Sequence, residues 1–296
     1  MKKLYGTGVA LVTPFKKNRE IDFNGLNNLV KYVINNGVNY LVALGTTAET
    51  STLIEEEQRD IIECILSSNH KKIPVVIGIG GNNTDLVIKR INSMKNLSDF
   101  YAILSVTPYY NRPSQNGIYQ HFKSISNYTK AKIIIYNVPK RTGCNIETHT
   151  ILQLEKKYKN IIGIKEASGN ILSSYKIIEK KSKDFSLISG DDFISLPIIL
   201  GGGDSIISVI AQGFPYEISN MILLAMENKV KESFSIFYKI FDMINLIYEE
   251  GNPVGIKILL KIMGICESYV RLPLSSGSIS LKRKMEYFLK KTENDE

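Results

Sequence analysis

Cysteine and histidine are scarce in this 296-residue chain, with three of each. Cys64, Cys144 and Cys266 are odd in number, far apart and form no C-x-x-C pair. That pattern excludes a disulfide framework and a conventional zinc site, and it places the protein in a reducing, cytoplasmic compartment. His70, His121 and His149 stand at no ligand spacing, so no histidine cluster supports a metal centre. Long apolar runs are missing too. Nothing approaches the roughly 18 residues that span a bilayer. The basic start Met1-Lys2-Lys3 runs through Gly6 and Gly8 to Thr13-Pro14 without a cleavage site, so a first strand is expected there rather than a signal peptide. A dinucleotide fingerprint is also absent: Gly78-Ile79-Gly80-Gly81-Asn82-Asn83 lacks the third glycine of G-x-G-x-x-G and reads as a tight turn.

The charge is lopsided, with 37 Lys and Arg against 29 Asp and Glu, a formal +8. These cations are scattered among helices instead of gathered in one stripe, which argues for solvated helix faces and against nucleic acid. A mild positive field would favour anionic metabolites.

A composition of 44% hydrophobic and 22% charged residues is that of a soluble globular protein. Eight short apolar runs recur, at 8–12, 38–44, 74–79, 101–106, 132–138, 161–164, 185–189 and 205–209. They are rich in Ile and Val, as strands buried on both faces are, and stretches with helical spacing separate them. Phe23, Leu26, Leu29, Val30, Val33 and Ile34 make one such apolar stripe. Asp22, Thr84, Ser114 and Asn170 are N-cap types ahead of helices, and Gly37 suits the end of the first. Eight βα units predict an α/β fold of the (β/α)8 TIM-barrel kind over residues 1–224. Val230, Phe234, Phe237, Phe241 and Ile244, then Leu281, Met285, Phe288 and Leu289, predict a helical appendage over 225–296. The mixed-charge stretch Lys290 to Glu296 reads as a frayed tail.

Barrel chemistry sits at the carboxyl ends of the strands, and several reactive side chains fall there. Lys165 follows Ile161-Ile162-Gly163-Ile164, so its amine would project into a low-dielectric mouth that disfavours the charged form. A neutral amine attacks a ketone to form an imine. The alternative is a lysine that snorkels to solvent or pairs with Glu166. Tyr136 ends the adjacent strand, as a proton shuttle or as an ordinary buried tyrosine. Thr46 and Thr47 offer hydroxyls and backbone N–H groups to a carboxylate, or else cap a helix. Arg141, between Pro139 and Gly143, could bind a second carboxylate or lie idle at the surface. Asp191 and Asp192 resemble a metal pair but read better as helix caps. Gly201-Gly202-Gly203 precedes the eighth strand and reads as a turn.

Four segments resemble motifs of the dihydrodipicolinate synthase family, in a likeness running from Gly6 to about residue 275. They are Gly45-Thr46-Thr47-Ala48-Glu49, Thr107-Pro108-Tyr109-Tyr110-Asn111-Arg112-Pro113, Tyr136-Asn137-Val138-Pro139-Lys140-Arg141-Thr142-Gly143, and Gly163-Ile164-Lys165-Glu166-Ala167-Ser168-Gly169. The resemblance implies an imine between Lys165 and pyruvate, with Tyr136, Thr46 and Tyr110 as a proton relay and Tyr110 supplied by a neighbouring subunit. It implies that Thr47 holds the pyruvate carboxylate, that Arg141 holds aspartate 4-semialdehyde, and that Gly190 and Ile207 shape the pocket. It further implies a homotetramer of two tight dimers, no metal or organic cofactor, and a place at the committed step of diaminopimelate and lysine synthesis; the missing apolar runs already argue against a membrane partner.

Two departures stand out. Ala48 replaces a glycine of the family pattern, which would narrow the carboxylate loop if that position needs positive φ. Where lysine-inhibited members carry histidines and a glutamate, this chain has Glu55, Gln58 and Leu86, although Asn82 and Tyr109 remain. Weak or absent lysine inhibition is therefore expected. Sister families, the N-acetylneuraminate lyases and keto-deoxy sugar-acid aldolases, share the lysine and tyrosine but lack the arginine corresponding to Arg141. A barrel that has lost catalysis and serves as a binding protein is the non-enzymatic alternative.

Overall fold

The structure, a computed structural model, describes residues 3–95 and 97–294. In chain order its elements begin β1 (Gly6–Ala10), α1 (Phe23–Asn35), β2 (Tyr40–Ala43), α2 (Glu55–Ser68), β3 (Val75–Gly78), α3 (Thr84–Ser93), β4 (Ala102–Val106) and α4 (Gln115–Tyr128). They continue with β5 (Ile133–Asn137), the single turn α5 (Pro139–Thr142), α6 (Thr148–Lys157), β6 (Ile161–Glu166), α7 (Ile171–Lys180), β7 (Ser186–Ser189), α8 (Ser195–Leu200), β8 (Ser205–Ser208) and α9 (Pro215–Met226). Helices α10 (Val230–Glu249), α11 (Val254–Ile262) and α12 (Ile279–Asn294) follow. The strands close into a barrel in the order β1 to β8, so the TIM-barrel expectation holds. By chain contacts the molecule divides into two compact units, one built on residues 74–207 and one on residues 7–73 with the chain from 208 onward.

In the first unit, β5 is buried along its whole length, with Ile133, Ile134 and Ile135 wholly enclosed. Each such side chain contributes about 1.5–3 kcal/mol on burial, and β-branched residues suit the pleat. The parallel register pairs Tyr136 with Lys165 and Asn137 with Glu166. Since side chains alternate along a strand, the tyrosine shares one face with the lysine and the asparagine the other with the glutamate. Asp204 ties this unit together by accepting from Lys3 at 3.0 Å, from Lys181 at 2.9 Å and from the Leu187 N–H at 2.8 Å.

In the second unit, the stripe of Leu26, Leu29, Val30, Val33 and Ile34 is the buried face of α1, capped by Asp22, whose carboxylate accepts from the Gly25 N–H. Among the first unit's helices, Ser114 and Asn170 also cap as expected, each accepting from an N–H three residues on. At α3 the cap is Asn83, one residue before the expected Thr84, because the amide of Asn83 reaches the Leu86 N–H. The expectation for β1 ran too far: Val12 sends its N–H to the Gln212 side chain, not to a neighbouring strand. Helix α11 was not foreseen. Its short run, Val254–Ile262, is mostly apolar and its only charged residues are Lys257 and Lys261, four positions apart, the first of them buried. The expected frayed tail is helical as far as Asn294, while Asp295 and Glu296 lie outside the described residues. No helix among the described residues is long and apolar enough to cross a membrane.

Candidate active site

Lys165 is the fifth residue of β6 and lies only 7% exposed at the carboxyl end of the strand. Its ammonium nitrogen sits 4.3 Å from the centre of the Tyr136 ring, so the register has brought the predicted nucleophile and proton shuttle together. The lysine is largely withdrawn from solvent, and Glu166 is committed elsewhere, accepting from Asn137 Nδ2 at 2.9 Å and from the Ser168 N–H at 2.7 Å. Burial pushes the Glu166 carboxyl above its usual range, against the pull of those bonds.

Gly190 explains how the lysine stem fits. A Cβ at that position would stand 2.7 Å from Lys165 Cε, 2.9 Å from Ala167 Cβ and 3.0 Å from Lys165 Cγ. Only glycine leaves the stem its path, and the Gly190 N–H, donating to the Glu166 carbonyl at 2.7 Å, fixes the backbone beside it.

Around this pair the loops are cross-braced. Asn137 Nδ2 also donates to Asn145 Oδ1 at 2.8 Å, and Asn137 Oδ1 accepts from the Ile146 N–H at 3.3 Å. These bonds pin the segment that follows α5, the turn carrying Arg141. Gly143 ends that turn at φ 71°, a left-handed position suited to glycine. Arg141 itself is exposed. Cys144, buried next to the turn, donates its thiol to the Pro108 carbonyl at 2.9 Å and so holds the loop bearing Tyr109 and Tyr110. Tyr110 is 90% exposed and left-handed at φ 76°. Ile207 is buried within β8. Asp191 does not cap α8 as expected. Its carboxylate accepts from the Phe193 N–H at 3.0 Å, within the turn ahead of the helix. No group of three or more His, Cys, Asp or Glu among the described residues is placed to hold a metal.

The other unit carries the threonines. Thr46 to Ala48 form a tight 3-10 turn after β2, with Thr47 buried. Ala48 needs no positive φ; the left-handed residue is Glu49, at φ 54°, so the loss of a glycine at 48 is harmless to the backbone. Thr47 Oγ1 accepts from Asn252 Nδ2 at 3.0 Å. The Glu49 carboxylate accepts from Lys257 Nζ at 2.5 Å and from the Arg271 N–H at 2.9 Å. Burial pushes the Lys257 amine down, and the Glu49 carboxylate works against that shift. Asn252, Lys257 and Arg271 all escaped the sequence reading. The one available signal was a lysine in the midst of the apolar run Val254-Gly255-Ile256-Lys257-Ile258-Leu259-Leu260. The same unit holds a cleft of about 940 Å³ lined by Lys16, Arg19, Glu57 and Arg271, among others. Its Arg271 guanidinium is already taken up bidentately by Glu57.

A closed parallel barrel with an enclosed lysine at the end of its sixth strand, faced by a tyrosine, is a framework that can support amine-nucleophile chemistry. Comparison with known proteins narrows this. Residues 3–292 match the dihydrodipicolinate synthetase family, and the chain belongs to it. It is 56% identical over 286 residues to the 4-hydroxy-tetrahydrodipicolinate synthase of Karelsulcia muelleri, covering 96% of each chain. It is 48% identical to the enzyme of the same name from Flavobacterium psychrophilum, covering 98% of this chain and 99% of the relative. Among solved structures, the dihydrodipicolinate synthase of Thermotoga maritima superposes with a TM-score of 0.94 at 35% identity, covering 98% of both chains.

Proposed function

We propose that this protein condenses pyruvate with aspartate 4-semialdehyde through an imine on Lys165 and yields 4-hydroxy-tetrahydrodipicolinate, the committed step toward diaminopimelate and lysine. The observation that carries the proposal is the lysine itself, enclosed beside Tyr136 and passing a glycine whose Cβ would crowd its stem, in a chain of this family.

The Lys165 amine adds to C2 of pyruvate, and the carbinolamine loses water to become an imine. Loss of a proton from C3 gives the enamine, whose C3 forms a bond to the aldehyde carbon of the semialdehyde. The substrate's own amino group then attacks C2, closes the ring and expels the lysine amine, so one water leaves overall. Tyr136, 4.3 Å away through its ring, is the proton carrier at these steps, relayed through Thr46 and Tyr110 as the family resemblance implies. Following the family resemblance, Thr47 receives the pyruvate carboxylate, Arg141 that of the semialdehyde, and Gly190 and Ile207 shape the pocket.

Tyr110, largely exposed on a strained backbone, suits a residue delivered to a partner's site, which makes a dimer the minimal active unit and a tetramer of two dimers the expected assembly. Three free cysteines support a cytoplasmic location. We assign residues 1–224 to the catalytic barrel and 225–296 to a helical appendage.

The test supplies both substrates to the pure protein, coupled to the reductase that consumes the product, and follows NADPH oxidation. Turnover that falls about a hundredfold or more in Arg141→Ala is the expected result. No turnover from a protein that still traps pyruvate on Lys165 would refute the acceptor and make this a sister aldolase.

A further inference from the structure

Glu49 closes the two-threonine turn in a left-handed conformation, φ 54° and ψ 36°, which residues with a side chain adopt at a cost and keep only where their surroundings compel it. The compulsion is visible. Its N–H donates to the Thr46 carbonyl at 3.2 Å, and its own carbonyl accepts from the Thr52 N–H and hydroxyl, both at 2.9 Å. Its carboxylate is gripped from the C-terminal part of the chain by Lys257 on α11 and by the Arg271 backbone.

Lys257 is fully buried, and each of its three ammonium hydrogens has a destination: Glu49 at 2.5 Å, the Tyr269 carbonyl at 2.8 Å and the face of the Phe15 ring, 4.3 Å from its centre. That leaves no role for it as a second amine nucleophile. As a source of stability the pair is poor, because buried ion pairs are often replaceable by apolar side chains without loss. What a buried charge pair does that an apolar contact cannot is fix orientation, since a carboxylate held at both oxygens can neither slide nor rotate. The same part of the chain also holds the neighbouring threonine, since Thr47 Oγ1 accepts from Asn252 Nδ2 at 3.0 Å.

We propose that Lys257 is a positioning residue for the reaction: through Glu49 it fixes the turn that offers Thr46 and Thr47 to pyruvate, while Asn252 holds the Thr47 hydroxyl. The inference rests on the aldolase reading of the site and goes beyond it by assigning the C-terminal helices a part in substrate affinity.

The test is the double variant Glu49→Gln with Lys257→Met, which keeps the shapes and removes both buried charges. Two quantities are read: the thermal midpoint, and the pyruvate concentration that half-saturates the borohydride-trapped adduct on Lys165. A midpoint within a few degrees of the parent, a half-saturation raised about tenfold or more, and a semialdehyde KM within about twofold are expected. A parental half-saturation in the folded double variant overturns the proposal, since the pair would then be packing alone. Glu49→Gln by itself, which retains an acceptor for the Arg271 N–H, is the second arm if the double variant does not fold. It is expected to shift half-saturation the same way by a smaller factor, and an unshifted value again overturns the proposal. A wild-type protein that traps no pyruvate sinks the aldolase reading instead, so the two failures are told apart.

Discussion

Lys165 and Tyr136 stand on adjacent strands whose register pairs them, inside a unit in which β5 carries three wholly buried isoleucines. Thr46 and Thr47 stand on a turn whose closing residue is gripped by a lysine 208 positions further along the chain. The first arrangement needs little more than strand pairing and apolar burial, which act on every residue of the strand and tolerate exchange of one aliphatic for another. The second needs particular partners. The turn is buried at Thr47, Ala48 and Glu49, but non-directional burial does not set its orientation, which comes from hydrogen bonds and charge, and those fail one at a time.

The largest expected effect breaks the comparison at its stronger side. Lys165→Ala should lower turnover by about 10⁴-fold or more and abolish borohydride-dependent addition of pyruvate, with the thermal midpoint little changed. Retained turnover would mean the nucleophile is elsewhere. Next comes Gly190→Ala. Its Cβ would press on Lys165 Cε from 2.7 Å, so the lysine must leave its path. A displacement near 1 Å at a reacting atom costs about a hundredfold, and a drop in kcat of that order is expected, with overpacking taking about 1–3 kcal/mol of stability. A variant with unaltered kcat would show that the stem does not run where the structure puts it.

The lysine-bearing unit also has a weak point of its own. Burial pushes His121 on α4 down to about 4, while the unfolded chain titrates near the ordinary 6.5. Between those values the unfolded state binds a proton that the folded state does not, so this stability is present above 6.5 and is lost as pH falls toward 4. The loss amounts to about 3 kcal/mol at most. Urea titrations across that range should show the slope, and His121→Gln should flatten it; an identical slope in the variant would place the acid sensitivity elsewhere. The smallest effect is the response to free lysine. Leu86 is apolar and 55% exposed, and it cannot pair with an ammonium group. Millimolar lysine should leave the rate within about twofold, and inhibition at micromolar lysine would contradict that.

The eight strands, the barrel they close into and the lysine beside its tyrosine were all legible in the sequence, because each rests on local patterning: apolar runs of strand length, and short motifs at strand ends. The rest of the site was not. Nothing near Glu49 announces Lys257 or Arg271, because their meeting depends on how distant segments pack. Helix α11 is only nine residues long and buries the lysine that would mark its polar side, Lys257, against Glu49, a contact that depends on the same distant packing. Gly190 could be named from resemblance, but its purpose, leaving room for the Lys165 stem, appears only when side chains are placed.

The most direct test of the central claim is to treat the protein with pyruvate and borohydride, weigh it intact, and map the modified peptide. One pyruvate-derived adduct per chain, located on Lys165 and absent without pyruvate, is the predicted result. A chain that turns over both substrates yet carries no adduct, or carries it on another lysine, would contradict the account.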